Sequence, residues 1–257
     1  MSILLALLAT VPCDSAVGTP SIGFEDGALG RPVGACPSTG FDIEAGGHLL
    51  ADTDHFYGNV RAVGRLTGRL ALDDRASVFL ELEAVRYQTV ISSLSASDLG
   101  LGFAGVGGTW MLGRGDAHHL GLWVRLVLPT AFGLFEERWP FSADLGFEYE
   151  RRLSELFRAH AHAGVLATIS ASKEPLEGRL GLAAGIGAEV TPLSWLSVAL
   201  DAELLLGRHD PLDHVALSVA VRLRASDRDL VELAAISPLA GEERQLLSAA
   251  LRYRRTL

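Results

Sequence analysis

From Phe41 almost to the C-terminus, apolar and polar positions alternate with a period of two, in runs of 11 to 16 residues separated by turn-forming residues. A β-strand sends successive side chains to opposite faces. Val60, Ala62, Gly64, Leu66, Gly68, Leu70 and Leu72 therefore make one apolar face, and Arg61, Arg65, Thr67 and Arg69 make a polar one. The same reading predicts strands at Phe41–Ala51, Tyr57–Leu72, Ala76–Val90, Asp98–Gly113, His118–Thr130, Trp139–Arg152, Phe157–Ser170, Arg179–Thr191, Trp195–Gly207, Asp213–Ala225, Asp229–Leu239 and Arg244–Arg255. Each meets or exceeds the roughly 9–11 residues that a tilted strand needs to cross a bilayer. The glycines of Asp98–Gly113 leave the facing of that strand open and mark a bulge or close packing there.

The connections supply a second regularity. Tight links at Asp73–Arg75, Arg114–Ala117, Leu153–Leu156, Pro192–Ser194 and Ser226–Arg228 alternate with mostly longer ones at Asp52–Phe56, Ile91–Ser97, Ala131–Arg138, Ala171–Gly178, Arg208–Leu212 and Ala240–Glu243. Bacterial barrels have short periplasmic turns and longer external loops, so the alternation predicts an up-and-down topology with both termini periplasmic. A soluble β-sandwich or lipocalin-like barrel is the alternative, but a sandwich has no reason to alternate in this way.

Composition narrows the class. The chain is 49% hydrophobic with a mean hydropathy of +0.27. Yet after the first dozen residues no uncharged apolar run approaches the roughly 18 residues of a spanning helix. Only helices or closed barrels satisfy every backbone group in lipid. The expected fold is thus all-β: a closed antiparallel transmembrane β-barrel of about 12 strands. A net charge of −9 argues against a nucleic-acid partner, which would need a basic face.

The apolar Met1-Ser-Ile-Leu-Leu-Ala-Leu-Leu-Ala-Thr-Val-Pro12 has the length of a signal peptide, although it lacks a basic leading region. Residues 1–16 are read as that signal, with cleavage between Ala9 and Ala16, 17–40 as an irregular periplasmic segment and 41–257 as the barrel. The two cysteines, Cys13 and Cys36, bracket a Gly/Pro-rich stretch. If both survive processing, a periplasmic disulfide joins them; otherwise Cys13 leaves with the signal.

Inward positions carry the candidate chemistry. Arg61, Arg65 and Arg69 form a basic ladder that either guides anionic solutes or pairs with Glu81 and Glu83 on the next strand. Glu148, Glu150, Arg158, His160 and His162 also fall on the lumen face. His160 and His162 share a face, as two metal ligands would, but two histidines among lumen charges read more simply as hydrogen-bonded polar filling, so no metal and no cofactor are expected. His118 and His119 point to opposite faces. A serine hydrolase would need a histidine beside its nucleophile; Ser170 and Ser172 have none, and His209-Asp210 and Asp213-His214 are the best dyads available. No catalytic residues are assigned. Acidic external loops, with Asp52, Asp54, Glu136, Glu137, Glu174, Glu177, Asp210, Asp213, Glu242 and Glu243, read as solvated charge, or as sites where divalent cations bridge to lipopolysaccharide.

Three phrases, Asp98-Leu-Gly-Leu-Gly-Phe103, Leu120-Gly-Leu-Trp-Val-Arg-Leu-Val-Leu-Pro-Thr130 and Ala143-Asp-Leu-Gly-Phe-Glu-Tyr149, resemble bacterial outer-membrane barrels of the transporter type, nearest those linked to a phenol-degradation pathway. The resemblance implies a Gram-negative outer-membrane protein that meets lipid, lipopolysaccharide and the barrel assembly machinery. Such barrels commonly end on an aromatic residue; here Tyr253 precedes a short tail and would take that assembly role. The function expected is a channel or transporter for passive passage of small solutes, its selectivity set by the lumen charges. The alternatives are a non-conducting structural or interaction barrel and a lipid- or ester-hydrolysing barrel.

Overall fold

The computed structural model describes residues 36–257 apart from 53–56, 92–95, 116, 129, 131–138, 172–176, 208–213 and 242–244. Strand follows strand: β1 (Gly40–Asp52), β2 (Tyr57–Ala71), β3 (Ala76–Ile91), β4 (Ala96–Gly100), β5 (Ala104–Arg114), β6 (His118–Leu128), β7 (Trp139–Arg152), β8 (Phe157–Ala171), β9 (Glu177–Leu193), β10 (Leu196–Leu206), β11 (His214–Arg224), β12 (Asp229–Ala240) and β13 (Gln245–Thr256). Neighbours in sequence pair antiparallel, and β13 pairs back onto β1 to close the sheet. β4 and β5 both lie along β3, one beyond the other, so the thirteen segments make a barrel of twelve staves. Among the described residues no helix is long and apolar enough to cross a membrane, which says nothing of a β-barrel.

The expected single strand Asp98–Gly113 is therefore broken at Leu101–Phe103. Its bonds to β3 continue through the break: Gly102 N–H donates to Glu83 O, and Glu83 N–H donates to Phe103 O, both at 3.0 Å. On the other side β6 stops at Leu128, just before Pro129, which has no N–H for a ladder. Thr130 substitutes with its side chain. Its hydroxyl accepts from Ala104 N–H at 2.7 Å and donates to Gly102 O at 3.1 Å.

The glycines of this stave clear room for β3. A Cβ at Gly102 would meet the Glu83 side chain at 2.1 Å, and one at Gly107 would meet the Phe79 ring at 2.3 Å. Close packing thus explains what periodicity left open. At the seam, a Cβ on Gly40 would lie 2.1 Å from Arg255 O, so the start of β1 needs a residue without one.

The alternation holds through the sheet. Leu66, Leu70, Leu80, Leu182, Ile186 and Leu200 are exposed on the outer face, while Arg65, Arg69, Glu83, Asp144, Glu148, Asp201 and Arg222 are buried inside. A soluble protein would present the reverse; an apolar exterior around a charged interior suits lipid outside. At the end where the termini lie, Trp110, Tyr149, Phe157 and Trp195 face outward, and Tyr253 stands beside Phe41 with ring centroids 6.1 Å apart. That is the position of an interfacial girdle. The tight links are all at this end, closed by bonds such as Leu153 N–H to Phe157 O at 2.9 Å and Ala225 N–H to Asp229 O at 2.9 Å. The longer links lie largely or wholly outside the described residues.

The lumen as candidate functional site

One row of directly opposed residues carries the largest charge array. Register places Arg222 opposite Glu232, Glu232 opposite Arg252, Arg252 opposite Glu44, Glu44 opposite Arg65 and Arg65 opposite Glu83. Signs alternate across β11, β12, β13, β1, β2 and β3. Arg222 Nε donates to Glu232 Oε2 at 2.6 Å, and Arg252 Nη2 donates to Glu44 Oε2 at 2.6 Å. Arg252 also lies 3.7 Å from Glu232, and Arg65 donates to Glu83 Oε1 at 3.1 Å while lying 3.8 Å from Glu44. Beyond Arg222 the chain continues to Glu189 on β9. Nearer the rim, Asp42 accepts from Arg254 at 2.8 Å and from Arg69 at 3.0 Å.

The next row inward is made of small residues: Ala199, Ala220, Ala234, Ala250 and Gly46, opposed in that order. The four alanines are 0–3% exposed although they face the lumen. Protein atoms rather than open water cover them.

The opposite arc differs. Arg125 on β6 pairs with Asp144, its Nε at 2.7 Å, and lies 3.6 Å from Glu81 on β3. Trp123 is buried in the lumen and opposes Gly146, which opposes Gly164. A Cβ at either glycine would strike its ring, at 2.4 and 3.0 Å, so the indole lies along the wall over both. Arg86 stacks over Phe103, 5.2 Å from the ring centroid, as a cation held on an aromatic face. His160 pairs with Asp201 across Gly187, where a Cβ would meet both side chains.

At the terminal mouth, His119 lies 3.5 Å from Glu150, which lies 3.9 Å from Arg158. Arg158 lines a recess of about 40 Å³ together with Glu189, Thr191, Trp195 and Arg224. Cys36 Sγ is 3.9 Å from His119 Nε2, and Cys36 is disulfide-bonded. Cys13 lies outside the described residues.

Of the residues singled out from the sequence, Arg65 meets Glu83, but Arg69 turns to Asp42 and Glu81 to Arg125. Glu148 is buried on the lumen side, opposite the half-buried His162. The Arg61 side chain lies outside the described part, although its backbone opposes His48 and Gln88. His209, Asp210 and Asp213, and most of the acidic loop residues, are likewise outside it. Among the described residues no cluster of three or more His, Cys, Asp or Glu is arranged to hold a metal ion. The sequence reading missed Asp42, Glu44, Glu232, Arg252, Arg254 and Trp123. One signal was available. Asp42 and Glu44 on the first strand have the same spacing as Arg252 and Arg254 on the last, as a closing antiparallel pair requires.

No family model matches the chain, and no curated protein matches it. Solved structures do. The chain is similar to the COG4313 outer membrane channel from Pseudomonas putida F1, with 16% identity and a TM-score of 0.66 over 88% of this chain and 99% of that one. It is similar to the transport unit of the autotransporter AIDA-I from Escherichia coli, with 12% identity and a TM-score of 0.58 over 86% and 90%. It is also similar to the beta domain of the Bordetella autotransporter Brka, with 14% identity and a TM-score of 0.56 over 86% and 100%. The fold is accordingly that of the outer-membrane β-barrels, closed, antiparallel and all-β.

Proposed function

We propose that the protein is a channel or transporter for small solutes in the outer membrane of a Gram-negative bacterium, made with a signal peptide and set with its termini toward the periplasm. The observation that carries this reading is the interior. A closed barrel with a lipid-compatible exterior encloses ionic rows on most of its staves, with Arg65, Arg69, Arg158, His160, Glu81, Glu83, Glu148 and Glu150 among them. Similarity in fold to an outer membrane channel supports it. The tight turns at the terminal end support the orientation, since short turns are periplasmic in bacterial barrels. The outer apolar face would meet lipid, and loop acids would meet lipopolysaccharide. Tyr253 would serve recognition by the assembly machinery. No catalytic step is part of the reading.

The lumen acids and bases bear on how passage occurs. Asp42, Glu44, Arg65, Glu83, Arg222, Glu232 and Arg252 are 1–8% exposed. A wide water-filled pore would leave them wet. Passage therefore runs through a narrow path beside the ionic rows or follows their rearrangement, and the charges select the solute. The same burial favours the second reading, a non-conducting barrel sealed by its ion pairs.

Single-channel recording in a planar bilayer separates the two. Wild type is expected to give small, steady currents. Changing Arg65 and Arg69 together to Ala leaves Glu44, Glu83 and Asp42 with fewer partners and should move the reversal potential toward cation preference. Verified insertion of both proteins without current would overturn the channel reading.

A further inference from the structure

The recess of about 40 Å³ on the wall from β8 to β12, at the terminal end, has room for a group the size of a carboxylate rather than for a whole solute. Its floor is closed. Arg222 donates to Glu189, both are buried, and Ser197, opposite Arg222 in register, is buried with them. Its rim is open, since Arg224 is exposed and Arg158 half-buried. Two backbone bonds fix that rim: Thr191 N–H donates to Leu156 O and Arg224 N–H donates to Trp195 O, each at 2.8 Å.

The lining is rich in donors. Three guanidinium groups, on Arg158, Arg222 and Arg224, and the hydroxyls of Thr191 and Ser197 share the recess with one carboxylate, Glu189, which Arg222 already engages. Register adds an unfavourable contact, because Arg158 lies directly opposite Arg152 on β7 and opposed like charges destabilise a sheet. The carboxylates nearby are shared. Glu150, 3.9 Å from Arg158, also meets His119, and Glu232, the second partner of Arg222, also meets Arg252. The mouth therefore keeps a positive surplus beside a recess of anion size. Trp195 and Leu230 complete the lining with apolar surface, which a bare inorganic ion would not use.

We propose that this recess is a binding subsite for the carboxylate of a small organic acid, with Arg158 and Arg224 as its charged donors and Trp195 and Leu230 against the acid's apolar part. A planar guanidinium matches a carboxylate in shape as well as in charge. The subsite rests on the channel reading for its role, as a station for the solute at the terminal mouth, and it names the solute class; binding itself does not require flux.

Tryptophan fluorescence of the protein purified from membranes in detergent, titrated with butyrate, reads occupancy because Trp195 lines the site. Saturable quenching in the millimolar range is expected, and it should vanish in Trp195→Phe. Changing Arg158 and Arg224 together to Gln should weaken binding about ten-fold, since each supplies a charge-assisted bond. Arg224→Gln alone alters an exposed side chain, keeps the fold and should weaken binding several-fold. Butyramide has the shape without the charge, inorganic phosphate has the charge without the chain, and each should bind about ten-fold more weakly than butyrate. Equal affinity for butyramide would overturn recognition of charge, and equal affinity for phosphate would overturn the organic acid as ligand. Butyrate affinity unchanged in both arginine variants, or quenching that persists in Trp195→Phe, would overturn the site. Planar-bilayer current separates the subsite from the reading beneath it: butyrate binding by a barrel that carries no current upholds the subsite and sinks the channel, and current without butyrate binding does the reverse.

Discussion

Along β11, β12, β13, β1, β2 and β3 the inner wall is a single file of alternating charge, from Arg222 through Glu232, Arg252, Glu44 and Arg65 to Glu83, while on β6, β7 and β8 one Trp123 ring spreads over Gly146 and Gly164. Both arcs line the same lumen, by different physics. In the charged arc each ion is desolvated and depends on opposed neighbours, so the cost of burial is offset only while the row is complete. In the aromatic arc a large apolar side chain supplies contact area without a charge, and its neighbours lose their side chains to admit it. The charged arc contains the seam between β1 and β13, where register has no short loop to set it. Asp42 opposes Arg254 and Glu44 opposes Arg252 there. A slip of one residue would turn these groups toward lipid.

Breaking the charged arc should have the largest effect. Arg252→Ala leaves the buried Glu44 and Glu232 short of a partner and is expected to destabilise the barrel by about 3–5 kcal/mol, the range for breaking a buried pair. Urea unfolding of the refolded protein in lipid vesicles reads it, and a loss under 1 kcal/mol would mean that water already screens the row.

Filling the aromatic arc should have a smaller effect. Gly164→Ala brings a methyl to 2.9 Å from Leu145 O and 3.0 Å from the Trp123 ring. Overpacking of this kind costs about 1–3 kcal/mol, and a shift in tryptophan fluorescence should accompany it. Unchanged fluorescence and stability would show that the indole is free to move.

The smallest effect is expected for Arg252→Lys, which keeps a positive charge between Glu44 and Glu232 but loses the planar fork that reaches both. The loss should be about 1 kcal/mol, read in the same unfolding measurement. A variant as unstable as Arg252→Ala would show that the geometry of the fork, rather than alternation of sign, holds the seam.

Much of this architecture was legible in the sequence, because a strand with lipid on one side and a polar interior on the other must alternate. Val60 to Leu72 shows the pattern, and the facing of β7 to β11 follows from it. Adjacent strands extend that legibility one step, to Arg65 and Glu83. The break between β4 and β5 was not legible. It depends on the end of β6 at Pro129 and on the Thr130 hydroxyl bridging Ala104 and Gly102, which period two does not encode. The glycines of that stave were visible but mute until Phe79 and Glu83 were seen to occupy the space beside them.

By itself the sequence determined strand number, the facing of most side chains and the alternation of tight and longer links, since these follow from local periodicity and turn chemistry. Only the tertiary structure decided which charges meet. Arg252 and Glu44 are 208 residues apart and become neighbours when the sheet closes. Trp123, the two glycines beneath it and the Cys36 approach to His119 were settled in the same way, because occupancy of a shared interior depends on what the other staves bring to it.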